Sequence, residues 1–331
     1  MKIILAIESS CDETSVAVVK DGRYILSNVV SSQIKAHKRH GGVVPELASR
    51  LHAESIHYVL EKALTEASVS LSDLDAIAVT MGPGLEGSLI VGLSVAKSLS
   101  VQLNIPLIPV NHIHGHIYAH IAAKTPVDYP CLALIVSGGH SEFIRIDSAK
   151  QFHKCGKTRD DAAGEVLDKV ARYLNLGYPG GPVIEKEASN GDSSAFRFTM
   201  PMKHVPFEFS FSGLKTAAID LIDSLDDSNL PVQDICASFQ KAIIDCLIYK
   251  SLEACDTLGI KHLLIAGGVT ANQSLQQSFE LACQDKNIGL TRVDSKLCTD
   301  NAAMIGLAGY HLQQYYDVKD AAIFAQSGLS V

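Results

Sequence analysis

Apolar and polar positions along this chain switch between two periods. The first thirty residues read as a strand, a polar bend and a second strand, IILAI, ESSCDET and SVAVV, running on to a third strand over Tyr24 to Val30. Residues 131 to 146 repeat the plan, CLALIV entering SGGHS and leaving through EFIRI, so two similar apolar hairpins predict two related lobes. Between them the period lengthens. Leu47, Leu51, Ile56, Val59, Leu60, Ala63, Leu64 and Ala67 share one face of a helix predicted over 46–67. A strand over 75–80 leads through MGPGLEGS into a helix over 87–104 rich in small residues, and 107–110 is another short strand. The second half predicts a helix over 162–174 with Asp160 or Asp161 placed to cap it, then a turn at GYPGGP. A long amphipathic helix over 235–258 follows, then a strand over 262–266 that breaks at GGVTANQ before a further helix, and a last helix over 301–315. Strands alternating with helices imply mostly parallel α/β layers, with ligands expected at strand ends.

Several strings on this frame can carry chemistry. In NHIHGH, residues 111–116, His112 and His116 are four apart, so on a helix they share a face and can chelate one metal; the other reading is a chance pair. The glutamate of a zinc-protease H-E-x-x-H is missing, because Ile113 and His114 follow His112. Asp300 in CTDNAAM, expected at a strand-to-helix junction, is a distant third ligand or simply a helix cap. Gly-rich bends recur at SGGH, YPGGP and AGGVTAN, where backbone N–H groups can approach a phosphate or ribose. Neither a P-loop nor G-x-G-x-x-G is present. Asp12 and Glu13 in the first bend can serve as a base, hold a metal-bound water or stabilise the turn, and Asp168 can accept from ribose hydroxyls or be a solvated helix carboxylate.

Composition narrows this picture. A chain of 331 residues suggests about two domains and buries enough surface to need neither disulfides nor a structural metal, so any metal is functional. The eight cysteines never form C-x-x-C and read as free thiols, the apolar start meets Glu8 too early for a signal peptide, and no apolar run is long enough to span a membrane. A cytoplasmic setting is the expectation. A net charge of −8 argues against electrostatic coating of nucleic acid, although Lys35, His37, Lys38 and Arg39, and again Lys150, Lys154, Lys157 and Arg159, form local basic groups or solvated faces.

Taken in order, ESSCDETS, GGVVPELASR, GPGLEGSL, NHIHGH, SGGHSE, DDAAGEVLDK, YPGGP, FSFSGLKT, AGGVTAN and CTDNAAMI resemble the motifs of the universal TsaD family, from the first strand to beyond residue 310. The resemblance implies an α/β, two-lobed actin-like (ribonuclease H-like) fold with a nucleotide cleft between lobes, residues 1–125 plus 300–331 forming one lobe and 126–299 the other. It implies transfer of threonylcarbamoyl from threonylcarbamoyl-AMP to the exocyclic amine of the adenosine 3′ of the anticodon, in tRNAs reading codons that start with adenine. TsaB, a pseudo-enzyme partner, and TsaE, an ATPase, would assist, and TsaC would make the adenylate. By position, His112, His116 and Asp300 would hold one divalent metal, Fe2+ or alternatively Zn2+. Ile135, Val136, Ser137, Gly138, Gly139, Asp168, Gly181, Glu185 and Asn272 would surround the adenylate, and Asp12 and Glu13 would supply the base. His114 stands where many members carry glutamate or a small residue, and Glu185 where aspartate is common; the first bears on metal coordination, the second on ribose contacts. The chain ends at Val331, short of a basic, proline-containing tail of many relatives, which implies weaker tRNA contact. Two other classes compete with this reading: a metal-dependent peptidase and a nucleotide-binding regulatory subunit.

Overall fold

The computed structural model describes residues 1–122, 127–226, 229–312 and 323–331, in two compact units, one of Met1–Pro126 with Lys296–Val331 and one of Val127–Ser295. The first unit opens with β1 (Ile3–Glu8), β2 (Glu13–Lys20), β3 (Tyr24–Ser32), α1 (Ile34–Lys38) and α2 (Pro45–Ala67). It continues with β4 (Ala76–Gly82), α3 (Glu86–Leu103), β5 (Leu107–Asn111) and α4 (His112–Tyr118). The second comprises β6 (Cys131–Val136), β7 (Ser141–Ser148), β8 (Gln151–Lys157), α5 (Ala163–Tyr173), α6 (Gly180–Ala188), α7 (Ser212–Ser224), α8 (Val232–Leu258), β9 (His262–Ala266), α9 (Gln273–Asp285) and β10 (Gly289–Arg292). The chain then runs through α10 (Ser295–Cys298) into α11 (Ala302–Leu312), which belongs to the first unit.

The two sheets have one plan. Their orders are β3-β2-β1-β4-β5 and β10-β9-β6-β7-β8. In each, the opening three strands form an antiparallel meander and the first of them, β1 or β6, also pairs in parallel with the next strand of its unit. This duplicated arrangement bears out the two related units that the repeated hairpins predict, and it is the actin-like fold that the family resemblance implies. Helices cover apolar strand faces such as Leu5, Ile7, Val16, Val18, Ile77 and Val79 in one unit and Leu132, Leu134, Val136, Leu263 and Ile265 in the other.

Several local readings are corrected. β8 escapes the pattern because QFHKCGK is a mostly exposed, polar strand, held by backbone pairing to β7 at the sheet edge. YPGGP is no free turn: Gly180, Gly181 and Pro182 open α6, where a first-turn proline loses no helical hydrogen bond. α7 is anchored by the narrow stripe Leu214, Ala218 and Ile222, too sparse to stand out. Neither Asp160 nor Asp161 caps α5. Asp160 Oδ1 instead accepts the Phe211 and Ser212 N–H groups (2.8 and 3.1 Å) at the start of α7, while Asp161 pairs with lysines. The last helix starts at Ala302; Tyr315, its predicted end, lies outside the described residues. Among the described residues no helix is long and apolar enough to cross a membrane. The eight cysteines are free, and burial pushes the Cys131, Cys236, Cys246 and Cys255 thiols up to about 12, which keeps them inert at neutral pH.

One buried charge ties α8 to the segment before α7. Lys250 is fully buried, and its Nζ donates to the carbonyls of Met202, Lys203 and Val205 at 2.8, 3.1 and 2.7 Å. Lys250→Met keeps the stem but strands the Lys203 and Val205 carbonyls, the Met202 carbonyl still accepting the Val205 N–H, and should cost about 3 kcal/mol or more. Denaturant unfolding checks it; a midpoint equal to wild type would exclude this role.

Candidate functional site

The histidine pair is positioned by a cap. Asn111 ends β5, and its side-chain oxygen accepts the Ile113 N–H at 2.8 Å, so α4 starts at His112 without an intervening loop. One turn then stacks His112 and His116 edge to face, ring centroids 4.7 Å apart, both buried. Asp300 arrives from the junction between α10 and α11, a helix-to-helix connection rather than the strand-to-helix one expected. Its Oδ1 lies 3.5 Å from His112 Nε2 and 3.3 Å from His116 Nε2, and the three ligand atoms fall within 4.8 Å of one another. Asp300 is also not needed as a cap. Asn301 Oδ1 accepts from Met304 N–H, Ser15 Oγ from Ala302 N–H and Asn28 Oδ1 from Ala303 N–H, so residues of the loop, β2 and β3 satisfy the start of α11. α4 and α11 pack closely because residue 115 is glycine: a Cβ there would meet Ile305 Cδ1 at 2.8 Å.

Whether this cluster suits a cation is tested by His116. The ring is 1% exposed, yet neither nitrogen makes a hydrogen bond among the described residues; Nε2 faces only the Asp300 carboxylate. A buried imidazole left that way is costly, and two imidazoles with a carboxylate form a donor set that suits a divalent transition metal. His114, two residues along, is outside the cluster, and burial lowers it to about 4, so it is a neutral imidazole.

The sequence reading missed Glu8. Fully buried at the end of β1, it accepts Ser10 N–H at 2.5 Å and Thr80 Oγ1 at 2.6 Å, and its Oε2 stands 3.1 Å from His112 Nδ1. Ser10 Oγ is 3.2 Å from the same nitrogen. An ionised carboxylate only accepts, so Nδ1 carries the proton and Nε2 turns to Asp300. Burial works to raise Glu8, but the charge and hydrogen bond of His112 outweigh it and hold Glu8 below its ordinary value. Burial would likewise depress His112, and the Asp300 and Glu8 carboxylates overcome that to raise it to about 9. The signal was present in sequence only as an acidic residue ending an otherwise apolar strand.

Asp12 and Glu13 lie in the β1–β2 bend. Glu13 is pushed well above the ordinary glutamate value, by burial first and then by Asp12 and Asp300, while Ser32 Oγ donates to it at 3.2 Å. Buried histidines hold this bend. His52, on the core face of α2, sits 2.9 Å from the Cys11 carbonyl through Nε2 and 2.7 Å from Thr14 Oγ1 through Nδ1. His37, read as part of a basic surface group, is also buried: its Nδ1 accepts Val44 N–H and its Nε2 meets Gln33 Oε1, while Gln33 N–H donates to the Asp12 carbonyl. Of the other basic group, Lys154 pairs with Glu142 and Arg159 with Glu208.

The residues assigned to the adenylate gather at one end of the second unit's sheet. Ile135 pairs with Ala266, and Gly267 adopts φ +98° because a Cβ there would lie 2.4 Å from the Val136 carbonyl. Asp168 accepts Gly180 N–H at 2.6 Å, joining α5 to α6 beside Gly181. Glu185 accepts Gln273 N–H at 2.7 Å, and Asn272 caps α9 through Leu275 N–H while donating to Gln240. Ser137 N–H is taken by the His140 carbonyl, whereas the Gly138 and Gly139 N–H groups have no acceptor among the described residues, with open space where a Cβ would stand. The two units thus each present one cluster.

Three comparisons bear on what these clusters serve. A family model described as tRNA N6-adenosine threonylcarbamoyltransferase, TsaD, matches residues 24–307. The chain is 47% identical over 332 aligned residues, 99% of this chain and 97% of the relative, to a tRNA N6-adenosine threonylcarbamoyltransferase of Staphylococcus aureus. It is 50% identical over 311, 93% and 92% of the two chains, to one of Caldicellulosiruptor saccharolyticus. Among solved structures it resembles T. kodakarensis HypF with TM-score 0.63 and 15% identity, covering 96% of this chain and 48% of that one, a likeness of fold alone.

Proposed function

We infer the chemistry of the site from one premise: the chain belongs to the TsaD family of tRNA N6-adenosine threonylcarbamoyltransferases. It is a transferase that places a threonylcarbamoyl group on the N6 amine of a tRNA adenosine. We propose threonylcarbamoyl-AMP as the donor, the adenosine 3′ of the anticodon in tRNAs reading codons that begin with adenine as the acceptor, and TsaB-like and TsaE-like proteins as helpers. The observation carrying the reading of the site is the buried His112, His116 and Asp300 cluster, with a carboxylate behind His112.

Those three residues would hold a divalent metal, Fe2+ or alternatively Zn2+, which when bound supplies Lewis acidity toward a carbonyl or phosphate oxygen. The chain's own groups do the rest. Glu8 and Ser10 fix the His112 ring. Gly138 and Gly139 N–H groups donate to an oxyanion or phosphate oxygen of the adenylate. The attacking amine must lose a proton as the carbamoyl–phosphate bond breaks, and AMP leaves with the electron pair. Asp12 is the acceptor we assign, because Glu13 beside it is pushed toward its protonated form.

Mass spectrometry of nucleosides tests this. Wild-type protein with tRNA, threonylcarbamoyl-AMP and both helpers should form threonylcarbamoyladenosine, and His116→Ala should form none above background. Metal-dependent proteolysis by the lone chain, with no modified nucleoside in the complete mixture, would replace this reading by the peptidase one.

A further inference from the structure

A concavity of about 510 Å³ on the second unit, between α5 and α7, is lined by Lys169, Arg172, Tyr173, Lys215 and Ile219. In a chain of net charge −8, three cations and no carboxylate line it. Among the described residues, the acids paired with its lining side chains are Asp161, Glu165 and Asp223. Asp161 bridges Lys169 and Lys215, each Nζ 2.8 Å from one of its oxygens, and Glu165 lies 2.8 Å from Lys169. Tyr173 donates its hydroxyl to Asp223. One buried-side carboxylate shared by two ammoniums holds them in place, and the Lys169 and Lys215 hydrogen bonds outweigh burial to pull Asp161 down to about 2, so the arrangement persists at neutral pH. Arg172 is exposed, and its guanidinium forms no ion pair or hydrogen bond among the described residues. Tyr173 beside it is 42% exposed, and its hydroxyl is anchored on Asp223.

We propose that this concavity is an accessory contact for the RNA backbone: Arg172, helped by Lys169 and Lys215, binds a phosphodiester, and a neighbouring base or ribose rests on Tyr173. Cations interleaved with an exposed aromatic ring suit a phosphate chain and a π-face. Nothing lining the concavity can read a base edge except through a cation, and the tyrosine hydroxyl is already committed, so the contact is independent of sequence. The choice of RNA rests on the transferase reading, whose acceptor is tRNA.

Equilibrium binding of a tRNA transcript to the full chain, measured across a salt series from low ionic strength, tests it. Arg172→Glu should weaken binding about tenfold and reduce the slope of log affinity against log salt by about one to two, and Arg172→Lys should stay near wild type. Lys62→Glu, on exposed α2 of the other unit, makes the same change in net charge and should leave affinity nearly unchanged. Equal weakening by Arg172→Glu and Lys62→Glu, no weakening by Arg172→Glu, or no tRNA binding by wild type would each overturn the site. Competition by ATP or inorganic phosphate as strong, per phosphate, as that by RNA would overturn the choice of RNA. Threonylcarbamoyladenosine formation by wild type in the complete mixture separates the two claims: product with an unaffected Arg172→Glu affinity removes this contact and leaves the transferase reading standing.

Discussion

Asp300→Ala is expected to lose bound metal and transfer activity together while the fold is kept. The carboxylate closes a set whose other two members share one turn of α4, and those two imidazoles alone would leave a bound ion one protein ligand short of the proposed set. A Lewis acid contributes several kcal/mol at the developing charge, and at about 1.4 kcal/mol per decade its loss corresponds to a fall of about two orders of magnitude or more in rate. Stability should change by less than about 1 kcal/mol, since Asp300 is partly exposed and Asn301, Ser15 and Asn28 cap α11 in its place. Asn301→Ala is the matching control, expected to cost about 1 kcal/mol through the lost cap. Metal content by elemental analysis, alongside nucleoside assays and unfolding curves, decides the point: Asp300→Ala protein carrying metal at wild-type occupancy would refute the ligand assignment.

Glu8→Gln should lower metal affinity about 10- to 100-fold without unfolding the protein. Glutamine fills the same buried space and its amide oxygen can still accept from Ser10 or Thr80, but it removes the negative charge behind His112 and allows the ring to flip or tilt. The readout is competition with a chelator of known affinity, which does not depend on turnover. Alanine is the wrong probe here, because it removes the acceptor of Ser10 N–H, the Thr80 hydroxyl and His112 Nδ1–H and opens a cavity in a fully buried place. An unchanged metal affinity in folded Glu8→Gln protein would show that the Glu8–His112 contact only ties β1 to α4.

Both expectations turn on groups that differ in how well they can be read from a string of letters. The spacing of His112 and His116 is local: four residues on a helix share a face wherever that helix lies. The partnership with Asp300 is not local, since 184 positions separate it from His116 (300 − 116), and the local sequence around Asp300 favours a cap over a ligand. What separates the readings is that α11 finds other caps on β2 and β3, a fact of strand packing. Glu8 and His52 were missed for the same reason. Each sits among apolar neighbours on an element whose period is plain, and its partner, His112 or the Cys11 carbonyl, comes from another element.

The sequence by itself determined the two sheets and most helices, because burying one face imposes a period of 2 or 3.6 that survives in the letters, and the repeated hairpin carries the duplication. It also determined the family, through ordered motifs along most of the chain. Elements with little apolar area, β8 and α7, were decided by backbone pairing and by Asp160 satisfying a distant helix start. Tertiary structure alone decided which polar residues meet. Burial in a low-dielectric interior makes an unpaired donor or charge expensive, so the fold brings Glu8 to His112, Asp161 to two lysines and Lys250 to three carbonyls, pairings between elements that no local pattern encodes.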